Sequence, residues 1–206
     1  MAKLQPVDIE KVAERAPNIG DRAIENLAFI RETMERSAHF TAVPGYGGIL
    51  MGVTAVAAAY IANTQPLLRD SLATWLAEAA LAFAIGMLAM WQKSKIGGQT
   101  LMSAPAKKFA LSFAPPLIVG LVIVLGLWHN GYFYIMPPVC MLAYGAAVVT
   151  GGAFSVRVVP IMGWCFMALG ATAFMLPTSY GNLMMALSFG ALHIIFGAII
   201  AKRYGG

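Results

Sequence analysis

Apolar residues fall along this chain in six long runs. Each is set off by a short stretch holding charges, glycines or prolines. The runs cover residues 45–61, 71–91, 109–128, 132–152, 156–176 and 180–201. A helix needs roughly 20 such residues to cross the hydrocarbon of a bilayer. The pattern therefore predicts an all-α integral membrane protein, a six-transmembrane-helix bundle over residues 45–206. Residues 1–44 read differently, as a cytoplasmic or interfacial leader. Within "PNIGDRAIENLAFIRETMERS", Ile24, Leu27, Ile30 and Met34 recur at three- and four-residue spacing, which predicts an amphipathic helix. Asn18 is the expected cap, with Asp21 three positions on. "DIEKVAER" predicts a further turn or two, ended before Pro17.

The connecting segments set the orientation. Lys93, Lys95, Lys107 and Lys108 flank the second loop, Arg157 the fourth, and Lys202 and Arg203 follow the last run. Arg31 and Arg36 precede the first, and only Arg69 stands on the other side. Positive loops stay in the cytoplasm, so both termini are expected there. Trp75, Trp91, Trp128, Tyr132, Phe133 and Tyr134 lie near the ends of runs, at the level of the headgroups.

Composition sharpens this picture. Hydrophobic residues make up 59% and charged residues 11%, against about 25% charged in a typical soluble domain. Seven of the nine acids lie in residues 1–36, and beyond residue 44 only Asp70 and Glu78 remain. The net charge of +5 sits in short loops, so no nucleic-acid partner is expected. The expected partners are the lipid bilayer and a homo-oligomer or other membrane-protein subunits. "MAKLQPVDIEKVAERA" has no apolar core and is not read as a secretory signal. The default localisation is a bacterial inner (plasma) membrane. Cys140 and Cys165 lie in apolar runs and read as small hydrophobes rather than as a zinc pair or a disulfide.

Few side chains are suited to chemistry. Glu78 lies eight residues past Asp70, about 12 Å into the second run. An acid at that depth points into a bundle or toward water. It is a candidate site for a proton, a cation or a substrate, or a structural hydrogen bond. His193 stands in the inner half of the last run. Depth counting does not bring it to Glu78, so a relay would need hydroxyls such as Ser188, Thr172, Tyr144 and Thr150. Haem would need a second axial ligand, and no other mid-membrane histidine exists. No cofactor and no metal are expected.

Pro115 and Pro116 in the third run, and Pro137 and Pro138 at the start of the fourth, are helix-break candidates, because proline removes a backbone donor. Broken helices in opposed positions resemble the layout of transporter sites. Pro137 and Pro138 equally suit the start of a helix. Gly48 and Gly52 stand four apart in the first run, where small residues let helices approach. They are interface candidates, for a seam within the chain or between copies. "VPGYGGILMG" precedes an apolar run rather than following a strand, so a phosphate loop is not expected. HExxH, GxSxG and GxxxxGK[ST] patterns are absent, and no enzyme activity is expected. Two readings remain. One is a non-enzymatic scaffold, assembly factor or subunit of a membrane complex. The other is an oligomeric transporter or channel for a proton, small cation or small solute, using Glu78 and His193.

Overall fold

A computed structural model describes residues 19–37, 40–97 and 101–205. Among these residues the regular structure is helical. The chain divides into two units, Met1–Ala38 and His39–Gly206. The first contains α1 (Ile19–Ser37). Its Ile24, Leu27, Phe29, Ile30 and Met34 are all exposed. Asn18, the Asp8–Arg15 segment and the side chains of Asp21, Arg36 and His39 lie outside the described residues.

The second unit is the bundle. Its six spans long and apolar enough to cross a membrane are α2 (Gly45–Asn63), α3 (Leu68–Ile96), α4 (Ala104–His129), α5 (Met136–Gly152, which crosses together with the turn before it as Phe133–Gly152), α6 (Val158–Met175) and α7 (Thr178–Tyr204). The protein is a polytopic membrane protein in contact with lipid. A 3-10 turn, Phe133–Ile135, leads into α5. α7 opens with another, Thr178–Tyr180, and contains a π-helical stretch, Ala186–Leu192.

Several helices outrun the apolar segments that announce them. α3 begins three residues before 71 and ends five residues after 91. α4 begins at Ala104 rather than 109, because the Ser103 side chain accepts a bond from the Ala106 amide and Pro105 stands in the first turn. Hydropathy ends where charge begins, whereas a helix continues until its caps end it.

The helices pack in the order α3–α2–α7–α6–α5–α4. Each neighbouring pair is antiparallel. α7 joins a triplet of α2, α3 and α7 to a triplet of α4, α5 and α6. Sites of close approach are glycines. A methyl group on Gly45 would meet the Ala201 backbone, and one on Gly52 would lie 2.6 Å from Gly190 O. Gly145 and Gly163 meet in the same way between α5 and α6. The outer helices bury least: 11% of the apolar stretch of α4 against 44% of that of α7.

At one end of the bundle stand Lys93, Lys95, Lys107, Lys108, Arg157, Lys202 and Arg203. Here the segment before α2 is pinned. Phe40 N–H donates to Phe154 O (2.8 Å), and Ser155 Oγ donates to Phe40 O (2.7 Å). Lys93 Nζ donates to Val43 O (3.0 Å) and to Gly205 O. Phe40 is buried against Ala106 and Phe109. At the other end Arg69 lies over Trp128, which meets Phe133 edge-on. Trp75 is 5% exposed rather than at the surface. Its indole N–H has a protein acceptor, which removes the reason for it to seek the headgroups.

Candidate functional site

Glu78 stands on the inward stripe of α3, in register with Ser71, Trp75 and Ala82, and faces α2. It is 7% exposed. Thr54 Oγ1 donates to Glu78 Oε1 at 2.8 Å. The same hydroxyl lies 2.9 Å from Met51 O and 3.2 Å from Leu50 O. α2 carries no charged residue, so no cation of the facing helix neutralises this acid. Arg69, nine residues away on α3, stands about 13 Å distant along the axis.

His193 lies in α7 directly after the π-helical stretch. Its Nδ1 is 2.9 Å from Phe189 O, and its Nε2 is 2.8 Å from the Tyr144 hydroxyl. A carbonyl oxygen only accepts, so Nδ1 carries the proton. Nε2 is then the acceptor, and Tyr144 O–H donates to it. Phe166 and Phe189 close around the pair, with ring centroids 4.8 and 5.2 Å from that of Tyr144. The widened turn of a π-helix is frequent at functional positions. Here it carries the Phe189 carbonyl that fixes the imidazole. The Tyr144 ring also meets Phe113 of α4 edge-on, so the pair sits where α4, α5, α6 and α7 converge.

The two sets do not join. Glu78 bonds to α2, and His193 bonds to α5 and to its own helix. The hydroxyls that would have to link them are engaged elsewhere. Ser188 donates to Met185 O, Thr172 to Ala168 O, and Thr150 is shared among three carbonyls.

The prolines do not break the helices. α4 runs without interruption through Pro115 and Pro116. Pro116 has no N–H for Ser112 O four residues earlier, and Thr150 Oγ1 of α5 donates to that oxygen at 2.8 Å. A neighbouring hydroxyl is a known substitute for a missing backbone donor in a membrane. Pro137 and Pro138 stand in the first turn of α5, where the missing N–H has no intrahelical partner in any case. They line a cavity of about 100 Å³ with Tyr134, Leu176, Tyr180 and Met184. The break expected at Pro115 and Pro116 is therefore corrected, and of the two readings of Pro137 and Pro138 the structure shows the start of a helix. Gly48 and Gly52 face α7 of the same chain, at Gly197 and Gly190. Ile24, Leu27, Ile30 and Met34 are exposed on α1.

Two polar residues escaped the sequence reading. Thr54 is the partner of Glu78. Asn182 Oδ1 accepts from Ser71 Oγ (3.1 Å) and Trp75 Nε1 (2.9 Å), joining α7 to α3. The available signal was an asparagine near the start of an apolar run, and a tryptophan one helix turn after a serine. Comparison of the chain with protein families, characterised proteins and solved structures finds no match.

Proposed function

We propose that this polytopic membrane protein is a non-enzymatic subunit or scaffold of a membrane complex, with α1 as its contact for another membrane-protein subunit. The observation that carries the reading is the exposure of Ile24, Leu27, Ile30 and Met34 on the helix of the first unit. α1 mixes acids with arginines, which suits a protein contact better than anionic lipid. The experiment replaces Ile24, Leu27 and Ile30 together with serine and measures the native mass of the complex in mild detergent. The expected outcome is loss of the partner chain. An unchanged mass rules out the docking role.

The basic end of the bundle supports an orientation with both termini in the cytoplasm, in a bacterial inner membrane. A second reading, an oligomeric carrier or channel for a proton, small cation or small solute, draws on Glu78, a carboxyl with no basic partner among the described residues. His193 and Tyr144 belong to it less directly, since both spend their polar atoms on each other and on Phe189. Flux into proteoliposomes that is lost in Glu78→Gln supports this reading. Flux equal to that of empty vesicles removes it.

A further inference from the structure

We infer that Glu78 and Thr54 form a reversible protonation site at the α2–α3 seam, open to the hydrocarbon of the bilayer. The site takes one proton, the carboxylate becoming a carboxylic acid and returning.

The first support is the geometry around Thr54. Its hydroxyl has one proton and three oxygens within reach: Glu78 Oε1 at 2.8 Å, Met51 O at 2.9 Å and Leu50 O at 3.2 Å. When Glu78 is ionised, Thr54 donates to Oε1. When Glu78 is neutral, its own O–H donates to Thr54 Oγ1, and Thr54 turns its proton to Met51 O. A hydroxyl both donates and accepts. Both protonation states are thus hydrogen-bonded without movement of any heavy atom. A purely structural hydrogen bond needs only one of these arrangements.

The second support is the other carboxyl oxygen. Oε1 holds the one hydrogen bond that Glu78 makes. Among the described residues no sealed side-chain nitrogen or oxygen lacks a partner. Oε2 is therefore open to the surroundings, although the residue as a whole is 7% exposed. One turn away on each helix, Leu81 and Leu50 are exposed and apolar, so the opening faces lipid tails rather than water.

The third support is the lack, among the described residues, of any competing charge near Glu78. The titratable groups of α2 are Tyr46 and Tyr60, eight and six residues from Thr54 and both exposed. On α3 the nearest are Asp70 and Arg69, eight and nine residues away, and Lys93 at the far end bonds Val43 O. α7 meets α3 through uncharged Asn182, and its His193 is bonded to Tyr144 and Phe189. An acid so placed is stabilised by binding a proton, since a lone charge in the membrane is costly.

The probe is dicyclohexylcarbodiimide, applied to the full chain in nanodiscs. The carboxyl proton passes to a carbodiimide nitrogen, the carboxylate oxygen bonds to the central carbon, and an acyl shift gives a stable N-acylurea with every atom retained. Intact mass and peptide mapping read the adduct across a pH series. The expected result is one adduct, on Glu78, absent in Glu78→Gln. Its yield falls about tenfold per pH unit above the midpoint. Thr54→Val keeps the shape and removes a bond that is stronger to the ionised carboxylate than to the neutral acid, so its profile moves to higher pH. Thr54→Ser restores the parent profile. Absence of a Glu78 adduct at every pH, a pH-independent yield, or superimposable Thr54→Val and parent profiles overturns the inference. Equal labelling by a water-soluble carbodiimide overturns the access from lipid.

Discussion

Thr150 shows how a single hydroxyl keeps a proline inside a membrane helix. Its Oγ1 reaches Ser112 O at 2.8 Å while lying 2.9 Å from Ala146 O of its own helix. Thr150→Val keeps the volume and removes the donor. The expected loss is about 1 kcal/mol, the scale of a membrane hydrogen bond. In a Pro116→Ala background the backbone amide gained at that position supplies Ser112 O instead, and the same change should cost less than half as much. Thermal unfolding of the four proteins in one detergent reads this coupling. Additive effects would mean that the hydroxyl does not replace the missing amide. His193 and Tyr144 give a second lesson at this scale. The sequence marked His193 as a histidine within an apolar run and Tyr144 as one of several candidate hydroxyls, but only the carbonyl of Phe189 fixes which nitrogen is protonated and hence which way the tyrosine hydrogen points.

At the scale of elements, the glycines separate into those that permit contact and those that do not. A methyl group at Gly52 would lie 2.6 Å from Gly190 O and 2.9 Å from the Ile194 amide nitrogen, both backbone atoms that cannot swing away. Gly52→Ala should therefore force α2 from α7 and destabilise the bundle by about 1–3 kcal/mol. Gly126, in α4, would meet nothing within 4 Å. Gly126→Ala should be neutral or stabilise by up to about 1 kcal/mol, because alanine is the better helix former. Unfolding temperatures of the two variants check the pair, and similar shifts in one direction would refute the close-packed seam. The i,i+4 spacing of Gly48 and Gly52 was legible in the sequence. Which helix they receive was not, because Gly190 and Gly197 lie far along the chain and nothing local pairs them with α2.

At the scale of the molecule, the elbow before α2, the α3 end, the α5–α6 turn and the C-terminal end of α7 are tied into one basic face by Lys93, Phe40 and Ser155. The proposed orientation puts this face in the cytoplasm. In a Cys140→Ser, Cys165→Ser background, a membrane-impermeant maleimide applied to intact cells should label Asn130→Cys and leave Lys95→Cys unlabelled until the cells are opened. The opposite pattern would reverse the orientation.

The number of spans, their rough limits and the charge asymmetry between the two ends followed from the sequence, because hydrophobic length and loop charge are local quantities. Glu78, His193, the prolines and the small-residue pair also stood out locally, as rare residues in apolar runs. The pairing of each with its partner did not. Thr54 lies 24 residues from Glu78 and Tyr144 lies 49 from His193. Which helices meet depends on the order in which six similar apolar cylinders pack, and hydropathy is nearly the same for every order. Tertiary structure alone showed that the segment before α2 is a strap pinned at Phe40. It also turned the expected breaks at Pro115 and Pro116 into a continuous helix, and an isolated acid into a carboxyl with one oxygen held and one open. In each case the deciding contact is a hydrogen bond or close approach between segments remote in the chain.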